Sequence, residues 1–210
     1  TAATRITTYT YYSNSTDPSG NVILGRLHVI DGPRTDVTDT TTFAYDTNFD
    51  LTTTTNALSQ VTTVTARDAA GRPTKVTDPN SVETDFAYDT NGNMTSAIQA
   101  YGTGLAATTS FTYDDDEQLT QVTLPNSVAI QYSYDNAQRL TGIQDVPGNT
   151  ITYTLDNAGN RTQTVYKNTT PATTYTHTQT FDELSRLLTS VGASSQTANY
   201  AWNTNSELST

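Results

Sequence analysis

Apolar and polar residues alternate with a period of two along short stretches of this chain. Ile130, Tyr132 and Tyr134 are separated by Gln131 and Ser133, and Ile151, Tyr153 and Leu155 by Thr152 and Thr154. Phe43/Tyr45, Phe86/Tyr88, Phe111/Tyr113 and Tyr200/Trp202 repeat the pattern. Alternating aromatic and β-branched residues predict half-buried strands. No window of the chain carries a convincing helical stripe. Glu183–Leu188 comes nearest, and its place in the repeat assigns it to a turn and a strand.

The strands recur. A Tyr-Asp pair ends each one: Tyr45-Asp46, Tyr88-Asp89, Tyr113-Asp114 and Tyr134-Asp135 are intact, while Leu155-Asp156, Phe181-Asp182 and Trp202-Asn203 are worn. Arg67-Asp68 keeps the acid and loses the aromatic. Successive acidic positions are 22, 21, 25, 21, 21, 26 and 21 residues apart. Repeats of this period form arrays in which each unit leans on its neighbours. An Asp opening a turn accepts hydrogen bonds from N–H groups two or three residues on, and a Gly three later (Gly71, Gly92, Gly159) supplies a positive φ. Five residues past the Asp comes a Leu in several copies, as at Leu119, Leu140 and Leu187.

A second turn is expected about 11 residues past each Asp, at Asp78-Pro79-Asn80, Pro125-Asn126, Pro147-Gly148-Asn149 and Gly192-Ala193-Ser194. Each unit therefore reads as strand, turn, strand, Tyr-Asp turn, which gives about 16 antiparallel strands at two per repeat. The predicted class is all-β: tandem antiparallel hairpins in a curved sheet. Residues 1–42 read as degenerate repeats, with Ser13–Leu24 as an enlarged turn ahead of Gly25-Arg26-Leu27. Residues 43–210 read as the array, continuous with the first part as one repeat domain. The two longer spacings place insertions at Tyr101–Leu105 and Lys167–Thr173, expected as longer loops on one edge.

Composition narrows the function. Of 210 residues 34% are hydrophobic, and the formal net charge is −11. That charge argues against nucleic acid, whose phosphates need a basic face, and against anionic lipid surfaces. No apolar run reaches membrane-helix length, so membrane insertion is not expected. The chain has no cysteine, which excludes disulfides and thiolate metal sites. It shows no signal peptide and no initiator Met, and is read as a fragment or processed piece of something longer.

Candidate chemistry is sparse. Asp114-Asp115-Asp116-Glu117 is the densest acidic cluster, but it lacks Ca²⁺-loop spacing and fills the ordinary turn slot. The two histidines, His28 and His177, are scattered, and His177 lies in phase with apolar strand residues. No phosphate loop, dinucleotide fingerprint or nucleophile–base pair stands out. Catalytic, cofactor-binding and metal residues are therefore expected to be none, with no cofactor. The glycosylation sequons at Asn14, Asn93, Asn160 and Asn168 are chance-level matches in so Asn- and Thr-rich a chain. The positions singled out are structural turn and stacking residues: Tyr45, Asp46, Asp68, Tyr88, Asp89, Tyr113, Asp114, Tyr134, Asp135, Asp156, Phe181, Asp182 and Trp202.

Tyr-Asp-x-x-Gly-x-Leu with a Pro/Gly turn midway to the next copy resembles the YD repeat of the rearrangement-hotspot (Rhs) family. Asp114–Tyr134, Tyr134-Asp135 through Arg139-Leu140, and Asp68-Ala69-Ala70-Gly71-Arg72 carry the resemblance, which covers about residues 43–210. It implies a long antiparallel sheet spiralling into a hollow shell, which in toxin members encloses a C-terminal effector. Some members cut themselves behind the repeats at an Asp-Pro-x-Gly-Leu type motif. Asp17-Pro18-Ser19-Gly20 resembles its first four residues, but Asn21 follows and the segment precedes the repeats, so it reads as a turn.

Three functions follow, all at the cell surface or outside it. The chain is a shell segment of a larger exported protein, a β-fibre built by edge-to-edge contact between copies, or an adhesin that binds carbohydrate or a receptor. Its expected partners are flanking repeats of the same polypeptide or further copies of itself, because an open sheet edge recruits strands.

Overall fold

The computed structural model describes residues 6–13, 24–34, 36–192 and 194–209. The Asn14 sequon, the Asp17-Pro18-Ser19-Gly20 segment and Ala193 of the last mid-repeat turn lie outside them. Among the described residues there are nineteen strands and no helix. Thr and aromatic side chains favour this outcome, since branched and flat groups pack well on a pleated surface.

The chain divides into two compact units, Thr1–Thr108 and Thr109–Thr210. The first holds β1 (Thr8–Tyr11), β2 (Leu27–Asp31), β3 (Thr40–Tyr45), β4 (Leu51–Thr55), β5 (Val61–Arg67), β6 (Pro73–Thr77), β7 (Glu83–Tyr88) and β8 (Met94–Gln99). Each is laddered antiparallel to the next. β9 (Ala107–Tyr113) begins at the end of this unit. The second unit continues with β10 (Leu119–Thr123), β11 (Ala129–Tyr134), β12 (Leu140–Asp145), β13 (Thr150–Leu155), β14 (Arg161–Thr169), β15 (Ala172–Phe181), β16 (Leu187–Val191) and β17 (Thr197–Asn199). β9 to β17 again pair antiparallel in chain order. A last hairpin, β18 (Ala201–Trp202) with β19 (Leu208–Ser209), forms its own ladder.

The alternation in the sequence becomes two faces. In the second unit, Tyr132, Ile143, Ile151, Tyr166 and Tyr175 stand directly opposite one another across five strands. Ser133, Gly142, Thr152, Val165 and Thr176 form the matching row on the other face. Cross-strand neighbours of this kind are the unit of sheet stability, and the Tyr166 and Tyr175 rings stack at 4.6 Å. In the first unit Thr is not confined to one face: Phe43 is followed across the strands by Thr54 and Thr62. Among the described residues Thr164 alone is fully buried, at 3% exposure. Among the described residues of each unit the side chains cover one another sideways within a layer.

The two insertions differ from each other. Residues 100–105 form a loop, and the Tyr101 ring lies under the Lys75 ammonium at 4.9 Å. Residues 167–173 instead lengthen the β14–β15 hairpin, which runs to the pair Thr169–Ala172. Thr169 ties this hairpin down by donating its N–H to Asn149 Oδ1 at 2.9 Å and its hydroxyl to the Pro147 carbonyl at 3.0 Å.

Candidate functional site

Thirteen turns among the described residues share one backbone pattern. The opening residue donates its N–H to the carbonyl four residues on, and its own carbonyl accepts the N–H three residues on. Asp68 does so with Arg72 (3.0 Å) and Gly71 (3.0 Å), and Asp135 with Arg139 (3.0 Å) and Gln138 (2.9 Å). The residue three on always has positive φ, as in a type I turn closed by a bulge. Where the opener is acidic or an amide, Oδ1 accepts N–H groups two and four residues on: 2.9 and 3.0 Å at Asp46, 2.9 and 2.9 Å at Asp68, 2.9 and 3.0 Å at Asp135; at Asp145, where Pro147 has no N–H, only the Asn149 N–H is accepted. Asp89 adds the N–H three on, from Gly92 at 2.8 Å. The register shifts beside the Tyr-Asp turns, as at Ala44/Tyr45, Ala87/Tyr88 and Ser133/Tyr134.

Asp46, Asp68, Asp89, Asp114, Asp135, Asp156 and Asp182 all open such turns, and Asn203 takes the slot in the last hairpin. The mid-repeat turns are built the same way, opened by Asn56, Asp78, Leu124, Asp145 and Gly192. Nine of the thirteen positive-φ residues are not glycine: Phe49, Ser59, Ser81, Glu117, Ser127, Gln138, Ser185, Ser195 and Ser206. A side chain in that region is disfavoured, and the closed turn holds it there.

The second carboxylate oxygen is met from four residues on. Arg72, Arg139 and Arg186 each place a guanidinium nitrogen 2.7 Å from it, on Asp68, Asp135 and Asp182. Asn149 and Asn160 reach Asp145 and Asp156 at 2.8 and 2.9 Å. Bonding to the ionised form lowers a carboxyl pKa. Asp135 and Asp182 lie below the ordinary value, first through the arginine and then through the turn N–H groups. Asp156 is lowered first by the Asn160 amide. At Asp68 and Asp89 burial pushes upward, and the turn's hydrogen bonds outweigh it.

The aromatic ahead of the acid links one turn to the preceding one. Tyr88 donates its hydroxyl to the Pro73 carbonyl at 2.9 Å, Tyr134 to Leu119 at 2.9 Å, and Trp202 donates Nε1–H to Leu187 at 2.8 Å. Each acceptor lies five residues past the previous turn's opener. Arg67, where the aromatic is missing, donates its guanidinium to Leu51, the equivalent carbonyl, and to Gly71 at 2.8 Å. Burial raises the Tyr134 phenol, with the Asp114 charge adding to it. Arginines reach forward too: Arg139 to the Asp156 carbonyl at 2.8 Å and Arg186 to the Asn203 carbonyl at 3.3 Å. Arg72 lies over the Tyr88 ring at 4.6 Å and Arg186 over Trp202 at 5.7 Å, within cation–π range. Phe181 and Leu155, which have no donor, hold the same ladder positions opposite Leu187 and Arg161. Tyr45 and Tyr113 pair with Leu51 and Leu119 in the corresponding place.

Sequence reasoning missed Arg67 as a substitute donor and the identity of the two turn series. The 10-to-12-residue spacing between successive openers, broken only at the two insertions, was the available signal. It also missed one contact: His177 Nε2 lies 2.7 Å from Ser190 Oγ. No carboxylate is bonded to that ring among the described residues, and a Ser–His pair with no orienting group is not a triad. His28 stacks on Tyr12 at 4.1 Å. Asp115 and Asp116 are exposed, and no group of three His, Cys, Asp or Glu among the described residues is placed to hold a metal. The sequon amides of Asn93 and Asn160 are engaged with Asp89 and Asp156.

Two of the concavities within the units adjoin these turns and strands. One, of about 600 Å³, separates the turns opened by Asp46 and Asp68, where Arg67 stands in place of a ring. The other, of about 350 Å³, has Ile130, Ile143 and Ile151 as its floor and Tyr166 and Tyr175 as its wall.

A family model described as RHS Repeat matches residues 67–103 and 113–146. These two segments carry Rhs repeats, and the chain's fold is a tandem antiparallel hairpin array. Solved structures with a similar fold include a chain of TcdB2-TccC3-Cdc42, with a TM-score of 0.59 and 17% identity over 89% of this chain and 12% of that one. A chain of the Photorhabdus luminescens Tc holotoxin pore matches with a TM-score of 0.58 and 16% identity, over 97% of this chain and 14% of that one. A chain of TcdB2-TccC3 without its hypervariable C-terminal region gives 0.57 and 16%, with the same coverage. This chain thus spans 12–14% of the length of those solved chains. No curated protein sequence matches it.

Proposed function

We propose that the chain is a non-catalytic, structural β-repeat segment of a larger exported or surface protein, forming part of a shell that encloses an effector. The observation that carries this reading is the uniformity of the turns. Carboxylate oxygens fold back onto their own turn amides, and the arginines are spent on the neighbouring turns. A catalytic site would instead draw polar groups outward to one place. Fold likeness to Tc toxin chains supports a wall-building role. The partners in this reading are the flanking repeats of the same polypeptide.

The test is electron cryomicroscopy of the parent protein. Hollow particles with density inside, whose wall contains these strands, are expected. Solid particles, or a repeat segment hanging free of any enclosure, would overturn the shell reading.

A further inference from the structure

The concavity of about 350 Å³ in the second unit combines an apolar floor, an aromatic wall and a charged rim. On the floor, Ile143 stands opposite Ile151, and Ile151 opposite Tyr166, across β12, β13 and β14. In the wall, Tyr166 and Tyr175 stack at 4.6 Å with 18° between their planes, and Tyr175 is 46% exposed. At the rim, Asp145 stands opposite Ile130. It is two residues from Ile143 on one strand, so it belongs to the same face. The Asn149 N–H and side-chain amide each donate to its carboxylate at 2.8 Å, which leaves a lone pair open on each oxygen. Among the described residues no cation pairs with Asp145, and no lysine, arginine or histidine lines the concavity. Lys167 pairs with Thr150, one step from the Ile151–Tyr166 pair, and so belongs to the opposite face. The larger concavity differs, because Arg67 lines it beside Asp46, Asp50 and Asp68.

We propose that the smaller concavity binds a small organic ammonium ion, with its charge between the Asp145 carboxylate and the Tyr166 ring and its apolar body on the isoleucines. The volume lies in the range of small-ligand sites, which are mostly apolar with a few placed polar groups. A cation fits and an anion does not. Aromatic faces attract positive charge, the rim carboxylate is negative, and the chain carries a net charge of −11. The occupant is a small molecule and not a polypeptide strand. β11, β12, β13, β14 and β15 are each laddered on both sides, so no strand edge beside the concavity is open to main-chain pairing. Recognition falls to the side chains alone. The inference goes beyond the shell reading and does not depend on it.

The probe is 2-phenylethylamine, an ammonium ion at pH 7, titrated into the 210-residue chain and followed through the methyl resonances of Ile130, Ile143 and Ile151. Saturable shifts at these three residues are expected at millimolar concentrations. 2-Phenylethanol, the same body without the charge, should bind about tenfold more weakly. Asp145→Asn keeps a turn-opening acceptor, as Asn56 and Asn203 have naturally. It should weaken amine binding about tenfold, as for loss of a hydrogen bond to a charged group, and leave the alcohol unchanged. No shift at millimolar amine, equal affinities for amine and alcohol, or an Asp145→Asn chain that binds the amine like the parent would each overturn the proposal. A blocked glycine-flanked lysine peptide separates the two sources of an ammonium group. It should bind about tenfold more weakly than the amine for want of the aromatic body. Equal or tighter binding would give the site to a protein partner and overturn the small-molecule assignment. Failure in any arm leaves the shell reading untouched.

Discussion

The repeats led by Tyr134-Asp135 and Arg67-Asp68 reach the same result with different chemistry. In the first, a phenol donates to Leu119; in the second, a guanidinium donates to Leu51. Both turns close through the same four backbone groups, and both acids bond an arginine four residues on. What differs is volume. The ring of Tyr134 fills the gap beside its preceding turn, whereas the slender Arg67 stem leaves a concavity of about 600 Å³. The common requirement is therefore a donor at the carbonyl five residues past each opener, and the aromatic is one way of supplying it.

The largest break in this comparison should come from Tyr134→Ala, which removes both ring and donor. A loss of about 2–3 kcal/mol is expected in urea unfolding, below the full-burial range because the side chain is half-exposed. Arg67→Leu keeps some stem but orphans the Leu51 carbonyl, so about 1–3 kcal/mol is expected. Arg67→Tyr should recover that loss, since it restores the phenol and fills the gap. If Arg67→Tyr is no more stable than Arg67→Leu, the two repeats are not equivalent. Tyr134→Phe isolates the hydroxyl and should cost about 0.5–1.5 kcal/mol.

The smallest effects sit in the turns. Gly71→Ala should lose about 1 kcal/mol through φ alone, because an added Cβ would meet only ordinary contacts, at 3.7 Å from Asp50. Gln138→Gly, in the equivalent place, should change stability by less than that and in the opposite direction. Calorimetric midpoints of the pair check both signs.

Acid distinguishes the repeats in the same order. The Asp135 carboxyl is held below its ordinary value by Arg139 and the turn amides. A carboxyl depressed on folding contributes stability that is complete above its unfolded pKa of about 3.9 and is lost as pH falls through the lower folded value. Asp135→Asn keeps the Oδ1 acceptor, as Asn56 and Asn203 do naturally. It should therefore fold at pH 7 and show a shallower decline in stability below pH 4 than the parent. An unchanged decline would mean that Asp135 does not contribute to it.

Much of the array was legible in the residues. Ile130, Tyr132 and Tyr134 alternate because one face of β11 packs against neighbours, and the Tyr-Asp spacing marks where each hairpin reverses. The enlarged turn read at Ser13–Leu24 lies almost wholly outside the described residues, while Gly25 and Arg26 after it keep the closing bonds and the positive φ. Other features were not. Nothing in the identity of Gln138 or Phe49 announces a positive φ, since closure of the turn imposes it from outside. Leu124 opens a turn with no side-chain acceptor, so its equivalence to Asp135 is invisible until the backbone bonds are seen. The role of Arg67 needed the distance to Leu51, and the contact of His177 with Ser190 needed two strands laid side by side.

The central claim is that both series of turns are closed, structural elements of each unit. Amide hydrogen exchange tests it most directly. The account predicts that the opener and positive-φ amides, such as those of Asp135 and Gln138 on one edge and Asp145 and Gly148 on the other, exchange as slowly as the strand amides beside them. Exchange at free-peptide rates in either series, with the strands still protected, would contradict it.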